Sequence, residues 1–343
     1  MSDRGAVRRV GVAVNPTAAG GRARDAGLLV VGRLRAAGHD VVDLTGTDAA
    51  DATARTTTAV RDGAVDALVV VGGDGMVHVG VQAVAGAGVP LGVVAAGTGN
   101  DFAAAHDLPV RRPGAAADLL LTALATGRTR PVDAIAVTGA PGARWVAGAV
   151  SAGLDAAVNG RANALPARLP ARYVLSALAE IATFRAWGYD LTFTGVVDDG
   201  GLPLEPAASA DDVVHRWRGR AALVTAANIH RIGGGIRVAP DARSDDGLLD
   251  VVVATVLTRA AAATIFPSMF SGRHTRRRDV HVVRAGAVTI APADVPSADR
   301  PRGARQPSEL PLAHGDGEAL GPLPVTARAV PGAVALLAAP GGP

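Results

Sequence analysis

Apolar residues in the first third of the chain fall into short β-branched runs, separated by longer stretches with apolar positions three and four apart. The runs RRVGVAV (8–14), HDVVDLT (39–45), DALVVVGG (66–73) and PLGVVAAG (90–97) predict strands. The stretches 22–38, 50–63, a segment from about Met76, and 115–127 predict helices. Strand and helix in alternation specify a parallel sheet covered on both faces. Ligands of such sheets bind at the carboxyl ends of the strands. Each glycine-rich stretch of this region lies at such an end.

The pattern changes at TRPVDAIAVTG (129–139), after which short alternating runs dominate, at 144–153, 188–195, 218–228, 247–257 and 279–292. One helix is expected among them, over about Leu169–Trp187. Strands of this length with frequent turns predict an antiparallel β-sandwich. The fold class is therefore α/β plus β. The Pro-, Arg- and Ser-rich segment 296–311 reads as an exposed loop, and no internal repeat is found.

Composition narrows the function classes. The chain has 343 residues, 49% of them apolar, enough for two domains with cores. It has no cysteine, which excludes disulfides and thiolate metal sites. All 34 basic residues are arginine, against 31 acidic ones, for a formal net charge of +3. The pI near 10.3 arises because almost nothing titrates between neutrality and the arginine range. It is therefore no argument for nucleic-acid binding. The first residues lack an apolar core of signal-peptide length. The uncharged run 75–100 contains His78, Gln82 and Pro90, so it reads as helix, turn and strand rather than a membrane span. A cytoplasmic protein is expected.

Three glycine-rich turns carry candidate chemistry. In NPTAAGG (15–21), small residues let backbone N–H groups approach a phosphate, and the following helix dipole favours an anion. In GGDGM (72–76), Asp74 suits a Mg²⁺ ligand or a base if it faces phosphates; the plain alternative is an Asp-Gly turn. In GTGNDFA (97–103), Thr98 and Asn100 can hydrogen-bond a sugar or phosphate, with Asp101 opening the next helix. The plain alternative makes Asn100 or Asp101 an N-cap. A G-x-x-x-x-G-K-S/T loop and a strand-ending G-x-G-x-x-G are both absent, and so is lysine. P-loop NTPases and typical protein kinases are thereby excluded. Two further motifs lie in the second half, NIHRIGGGIRVAPDARSDDGLLDVVV (228–253) and HGDGEAL (314–320). Asp316 and Glu318 flank Gly317, so both carboxylates can project into one cleft.

In this order and spacing the five motifs resemble those of the diacylglycerol kinase catalytic domain family, which includes bacterial lipid kinases and sphingosine and ceramide kinases. The resemblance covers nearly the whole chain. It implies an α/β ATP-binding domain over 1–132, a β-sandwich lipid-substrate domain over 133–330, and a segment 331–343 that returns to the first domain. The active site would lie in the cleft between the two domains. ATP would lie over Asn15, Pro16, Thr17, Ala18 and Ala19, Thr45, Gly72 to Met76 (Gly73, Asp74 and Gly75 included), and Gly97, Thr98, Gly99, Asn100 and Asp101. A structural Mg²⁺ would be held by Asp246 and the carbonyls of Arg243 and Leu248. The resemblance favours Glu318 as the base with Asp316 beside it, while some relatives point to Asp74. It also puts Ser151 or Asp155 near the substrate.

Some positions depart from the family pattern. Met76 stands where threonine is usual, Val79 where glutamate is frequent, and Ala18 where serine is frequent. The resulting reading is ATP- and Mg²⁺-dependent phosphorylation of a lipid hydroxyl, diacylglycerol to phosphatidic acid, by a protein peripheral to the inner face of the membrane. The helix within 168–188 is expected to pack on the sandwich rather than enter lipid. The cluster 271–281, with four Arg and two His, reads as a solvated loop, or alternatively as a site that attracts anionic headgroups. Two other readings stay open: a kinase of a soluble substrate, as NAD kinases are, and a nucleotide-binding regulatory protein without catalysis. A homodimer is neither required nor excluded.

Overall fold

Strand and helix alternate in the first third as the pattern requires. The computed structural model describes residues 8–139, 144–165, 172–183, 186–207, 213–255, 258–295 and 312–338. Strands β1 (Arg9–Val14), β2 (Asp40–Asp43), β3 (Ala67–Gly72) and β4 (Leu91–Ala95) form a parallel sheet in the order β4-β3-β1-β2. Helices α1 (Arg22–Ala36), α2 (Ala49–Arg61) and α3 (Asp74–Val84) connect them, and α4 (Asp101–Ala105) and α5 (Pro113–Thr126) follow β4. All six residues of β3 are buried because helices cover both faces of the sheet. Val77, Val81 and Val84 of α3 pack with Ala52 and Val60 of α2 on one side. Val30 and Leu34 of α1 pack with Leu120 and Leu124 of α5 on the other. Helix α3 starts at Asp74, two residues earlier than its apolar pattern suggests, and α4 is too short to show a period.

The second half is built from antiparallel strands. They are β5 (Arg130–Thr138), β6 (Arg144–Val146), β7 (Ala149–Gly153), β8 (Trp187–Asp198), β9 (Glu205–Ala207) and β10 (Val214–Ala221). After these come β11 (Leu223–Ala227), β12 (Leu249–Ala254), β13 (Val280–Pro292), β14 (Ala313–Gly315), β15 (Glu318–Gly321) and β16 (Val325–Leu336). Pairing runs β15-β14-β7-β11-β12-β13-β16, with β8, β10 and β9 extending from β13, and β5 and β6 from β16. Tyr189, Leu191 and Phe193 of β8 point inwards at alternate positions and meet Val224, Val251 and Ile290 in the sandwich core.

Among the described residues three α-helices occupy this half where one was expected: α6 (Leu154–Ala164), α7 (Arg172–Thr183) and α8 (Arg259–Met269). Helix α6 has no apolar stripe to announce it; its residues LDAAVNGRANA mix small and polar types. Two runs that read as single strands are each split. RWVAGAVSAG breaks between β6 and β7, and RGRAALVTAAN breaks at Ala222 between β10 and β11. The loop expected at 296–311 lies outside the described residues. Among the described residues no helix is long and apolar enough to cross a membrane.

Strand β16 joins the halves. It pairs antiparallel with β13 and β5 in the sandwich, and its last residue, Leu336, pairs parallel with Leu91 of β4. The Leu337 N–H then donates to the Leu91 carbonyl at 2.8 Å. Between these two engagements the ladder slips between Val330 and Val334. Asp133, buried on β5, fills the slip. Its two carboxylate oxygens accept from Gly332 N–H and Gly247 N–H, both at 2.8 Å. Asn228, also buried, donates through Nδ2 to the carbonyls of Asp133 and Ala147. Replacing Asp133 by alanine removes the charged acceptor of two N–H groups. Asp133→Ala is therefore expected to cost about 2–4 kcal/mol, read as a lower urea midpoint.

Candidate active site

The three glycine-rich turns lie side by side at the carboxyl ends of β1, β3 and β4. The second and third turns touch through their backbones: a Cβ on Gly97 would sit 2.3 Å from the Gly73 Cα. No side chain fits at Gly97, which is why the chain has glycine there. In the first turn, Asn15 Oδ1 accepts from Thr17 N–H at 3.2 Å and from Thr17 Oγ1 at 3.0 Å. Pro16 and Thr17 are exposed, and Ala18 and Ala19 half-buried, in the short helical turn before α1. Thr45 Oγ1 accepts from Val14 N–H at 3.3 Å and so holds the end of β1.

Asn100 uses its amide inside its own turn. Its Oδ1 accepts from Gly97 N–H and its Nδ2 donates to the Gly97 carbonyl, both at 3.0 Å. It makes no side-chain cap on α4. Thr98 is exposed at the tip, where its carbonyl accepts from Arg111. Met76 is buried against Gly72 in the core of the first domain, and Val79 is buried there too. At these two of the three departures from the family pattern the side chains are thus part of the core, while Ala18 is half-buried in the first turn.

Three carboxylates from distant parts of the chain converge beside these turns. Asp74 opens α3, and its Oδ1 accepts from Phe102 N–H at the start of α4, at 3.1 Å. Burial, then the nearby charge of Asp101, pushes the Asp74 carboxyl up to about 6, with Asp316 adding to the effect. Asp101 reaches across to the second half. Its Oδ2 accepts from Gly234 N–H at 2.6 Å, and Arg231 Nε lies 3.5 Å from its Oδ1. Burial raises the Asp101 carboxyl above its ordinary range, although these contacts oppose the rise. The triple-glycine segment therefore acts as a receptor for Asp101.

Asp316 makes the matching contact in the other direction. Asp316 and Gly317 form the two-residue turn of the β14–β15 hairpin, with φ of 52° and 88° and Gly315 paired to Glu318. Left-handed residues at both turn positions give the type I′ turn that suits a twisted hairpin. The turn carries the Asp316 carboxylate onto the break between β6 and β7. There Oδ2 accepts from Ala147 N–H and Oδ1 from Gly148 N–H, both at 2.7 Å. The break that divides RWVAGAVSAG thus frees two amides for this carboxylate. His78 of α3 completes the set, with Nδ1 at 3.2 Å from Asp316 Oδ2. Burial opposes protonation of His78, but the hydrogen bond and charge of Asp316, with a contribution from Glu318, raise its pKa overall. Gln82, one turn further along α3, exchanges hydrogen bonds with the backbone of Trp145.

Glu318, in contrast, is exposed at the start of β15. Asp316 and Glu318 therefore do not play equivalent parts: one is buried in contacts and the other faces solvent beside them. Ser151 lies on β7, paired with His314 of β14. Asp155, half-buried as a residue, accepts from Thr225 Oγ1 and from Ala156 N–H, and desolvation of its carboxyl pushes it up to about 7.

The structural Mg²⁺ position is a separate case. Asp246 Oδ1 accepts from Leu248 N–H at 3.1 Å, and Oδ2 is ion-paired with Arg284 at 2.5 Å. The Arg243 side chain pairs with Asp245, and Asp246 is the one carboxylate of the expected donor set. A guanidinium already neutralises that carboxylate, so these residues do not fit a resident Mg²⁺. Among the described residues no group of three or more His, Asp or Glu is arranged to hold a metal ion.

His78 and Gln82 belong to this candidate site although no motif of the sequence includes them. The signal was present: Asp74, His78 and Gln82 are spaced four apart, so they form one polar stripe on an otherwise apolar helix.

Both halves of the chain are similar to known proteins. Residues 9–137 match the diacylglycerol kinase catalytic domain, and residues 148–338 match the YegS C-terminal NAD kinase beta sandwich-like domain. A diacylglycerol kinase of Mycobacterium tuberculosis is 31% identical over 335 residues, 96% of this chain and 95% of that protein. A probable YegS-like lipid kinase of Xanthomonas oryzae pv. oryzae is 30% identical over 230 residues, 65% of this chain and 67% of that one. The solved structure of a putative diacylglycerol kinase from Bacillus anthracis str. Sterne shares the fold, with a TM-score of 0.68 and 21% identity over 97% of both chains.

The raised carboxyl of Asp74 has a consequence for stability. A native pKa of about 6 lies above the unfolded value, so native stability is lost as pH rises through that interval and stays lost above it. Asp74→Asn is expected to stabilise the fold by roughly 2 kcal/mol near pH 7, with the gain vanishing near pH 4. Urea unfolding of both proteins at the two pH values checks this.

Proposed function

The chain belongs to the diacylglycerol kinase catalytic domain family, and on that premise we propose that it transfers the γ-phosphoryl group of Mg·ATP to the hydroxyl of diacylglycerol, giving phosphatidic acid. The observation that carries this reading is the meeting of Asp74 and His78 from the first domain with the Asp316 hairpin of the second, while Asp101 beside them reaches the Gly234 amide.

Each group has a part that follows from its surroundings. The turns at 15–21, 72–76 and 97–101 offer backbone N–H groups and the start of α1 to the phosphates. Asp74 would face the Mg²⁺ that arrives with the nucleotide, since its second oxygen borders Gly99 in the third turn. Glu318 would take the hydroxyl proton as the lipid oxygen attacks in line, because it is the exposed carboxylate of the set. Asp316 would position that hairpin, since both its oxygens are already engaged. A lipid acceptor requires contact with a bilayer. Phe270 and the exposed Arg273, Arg276 and Arg278 offer an apolar and basic edge for it, whereas Arg277 is paired with Asp279 and His274 is buried.

The test is phosphate transfer from labelled ATP to vesicles carrying diacylglycerol, ceramide, sphingosine or monoacylglycerol, with NAD in solution as the soluble acceptor. Label is expected in diacylglycerol; label in NAD alone would overturn the lipid reading. Glu318→Gln is expected to lower kcat roughly 10²- to 10⁴-fold without lowering the melting temperature. A fully active Glu318→Gln protein would move the base to Asp74. Activity should also fall as pH drops below about 6, where the Asp74 carboxyl takes up a proton.

A further inference from the structure

Three acidic residues, Asp198, Asp241 and Asp250, line a cavity of about 140 Å³ on the β-sandwich, and Arg284 is the cation that enters it. Arg284 lies on β13, opposite Asp250 of β12 in the ladder. From there its Nη2 reaches Asp246 Oδ2 at 2.5 Å, and its Nε lies 3.7 Å from Asp250 Oδ1. Asp250 is only 2% exposed, and its Oδ2 has no hydrogen-bond partner among the described residues. A buried carboxylate without full hydrogen bonding needs a positive charge close by.

The turn that leads into β12 depends on the same arrangement. Asp246 Oδ1 holds Leu248 N–H, and Asp133 holds Gly247 N–H, so residues 246–248 are fixed by two carboxylates. The family resemblance assigns a divalent cation to this turn, through Asp246. We propose that Arg284 is the resident cation here, a side chain that neutralises Asp246 and Asp250 and makes the turn independent of metal. The reason is charge and space together. A guanidinium in contact with Asp246 repels a second cation from that carboxylate, and its planar fork spans two carboxylates at once. Removing it would leave Asp246 and the buried Asp250 without that counter-charge, next to Asp198 and Asp241, a concentration of carboxylates whose repulsion an added divalent cation partly offsets. This inference does not rest on the proposed lipid substrate.

Thermal unfolding of the full chain without nucleotide tests it, with EDTA against millimolar MgCl₂ or CaCl₂. The wild-type melting temperature should be the same in all three. Arg284→Gln should melt several degrees lower in EDTA and recover part of the loss when Mg²⁺ or Ca²⁺ is added. Arg284→Lys, which keeps the charge, should melt closer to wild type and ignore the metal. The proposal is overturned if EDTA lowers the wild-type melting temperature and Asp246→Asn abolishes that response, or if folded Arg284→Gln shows no metal response. A wild-type response that survives Asp246→Asn belongs to another site and supports a metal-free Asp246. Should Arg284→Gln not fold, the comparison of wild type with Asp246→Asn decides alone.

Discussion

The arrangement of the two domains depends on one buried carboxylate. Asp133 sits where β16 leaves the sandwich for the first sheet, and it accepts from the Gly332 amide that the slipped ladder leaves open and from the Gly247 amide in the turn before β12. The Asp133 carboxylate gives the Gly332 amide in the slip a charged acceptor in place of its ladder partner, which stabilises the slipped register. With the slip in place, β16 can pair with β13 and β5 and still deliver Leu336 to β4. The direction of that crossing sets how the second domain faces the glycine-rich turns.

Across the resulting cleft the contacts are reciprocal. Asp101 extends from the first domain to the Gly234 amide of the second, and Asp316 extends from the second towards His78 of the first. Each carboxylate is satisfied mainly by backbone amides, which hold position better than flexible side chains do. Asp74 and Glu318 are left less engaged: Asp74 is buried among like charges, and Glu318 is open to solvent. Two carboxylates in such different surroundings are suited to different tasks in phosphoryl transfer.

Several motif residues turn out to do the plain thing and the particular thing together. Asp316-Gly317 is an ordinary hairpin turn, yet the turn is what aims the carboxylate at Ala147 and Gly148. Asn100 closes its own turn on Gly97, which brings Asp101 to the start of α4. At Asp246 the motif is intact but its neighbour is not what the motif implies, because Arg284 arrives from a strand 38 residues further on. A motif records the residues of one stretch and nothing about what packs against it.

The sequence by itself determined the parallel sheet, its helices, the sandwich and the position of the glycine-rich turns. These follow from periods of two and 3.6 residues and from turn chemistry, all of which act over a few neighbouring residues. It also contained the stripe of Asp74, His78 and Gln82, legible as residues four apart on one helix face. Only the tertiary structure decided what that stripe meets: Asp316 lies 238 residues from His78, and Trp145 lies 63 from Gln82. It alone decided that Met76 faces the core, that α6 forms without an apolar stripe, and that Arg284 reaches Asp246. Those outcomes rest on burial and on partners brought together by the crossing of β16, and no local pattern along the chain encodes them.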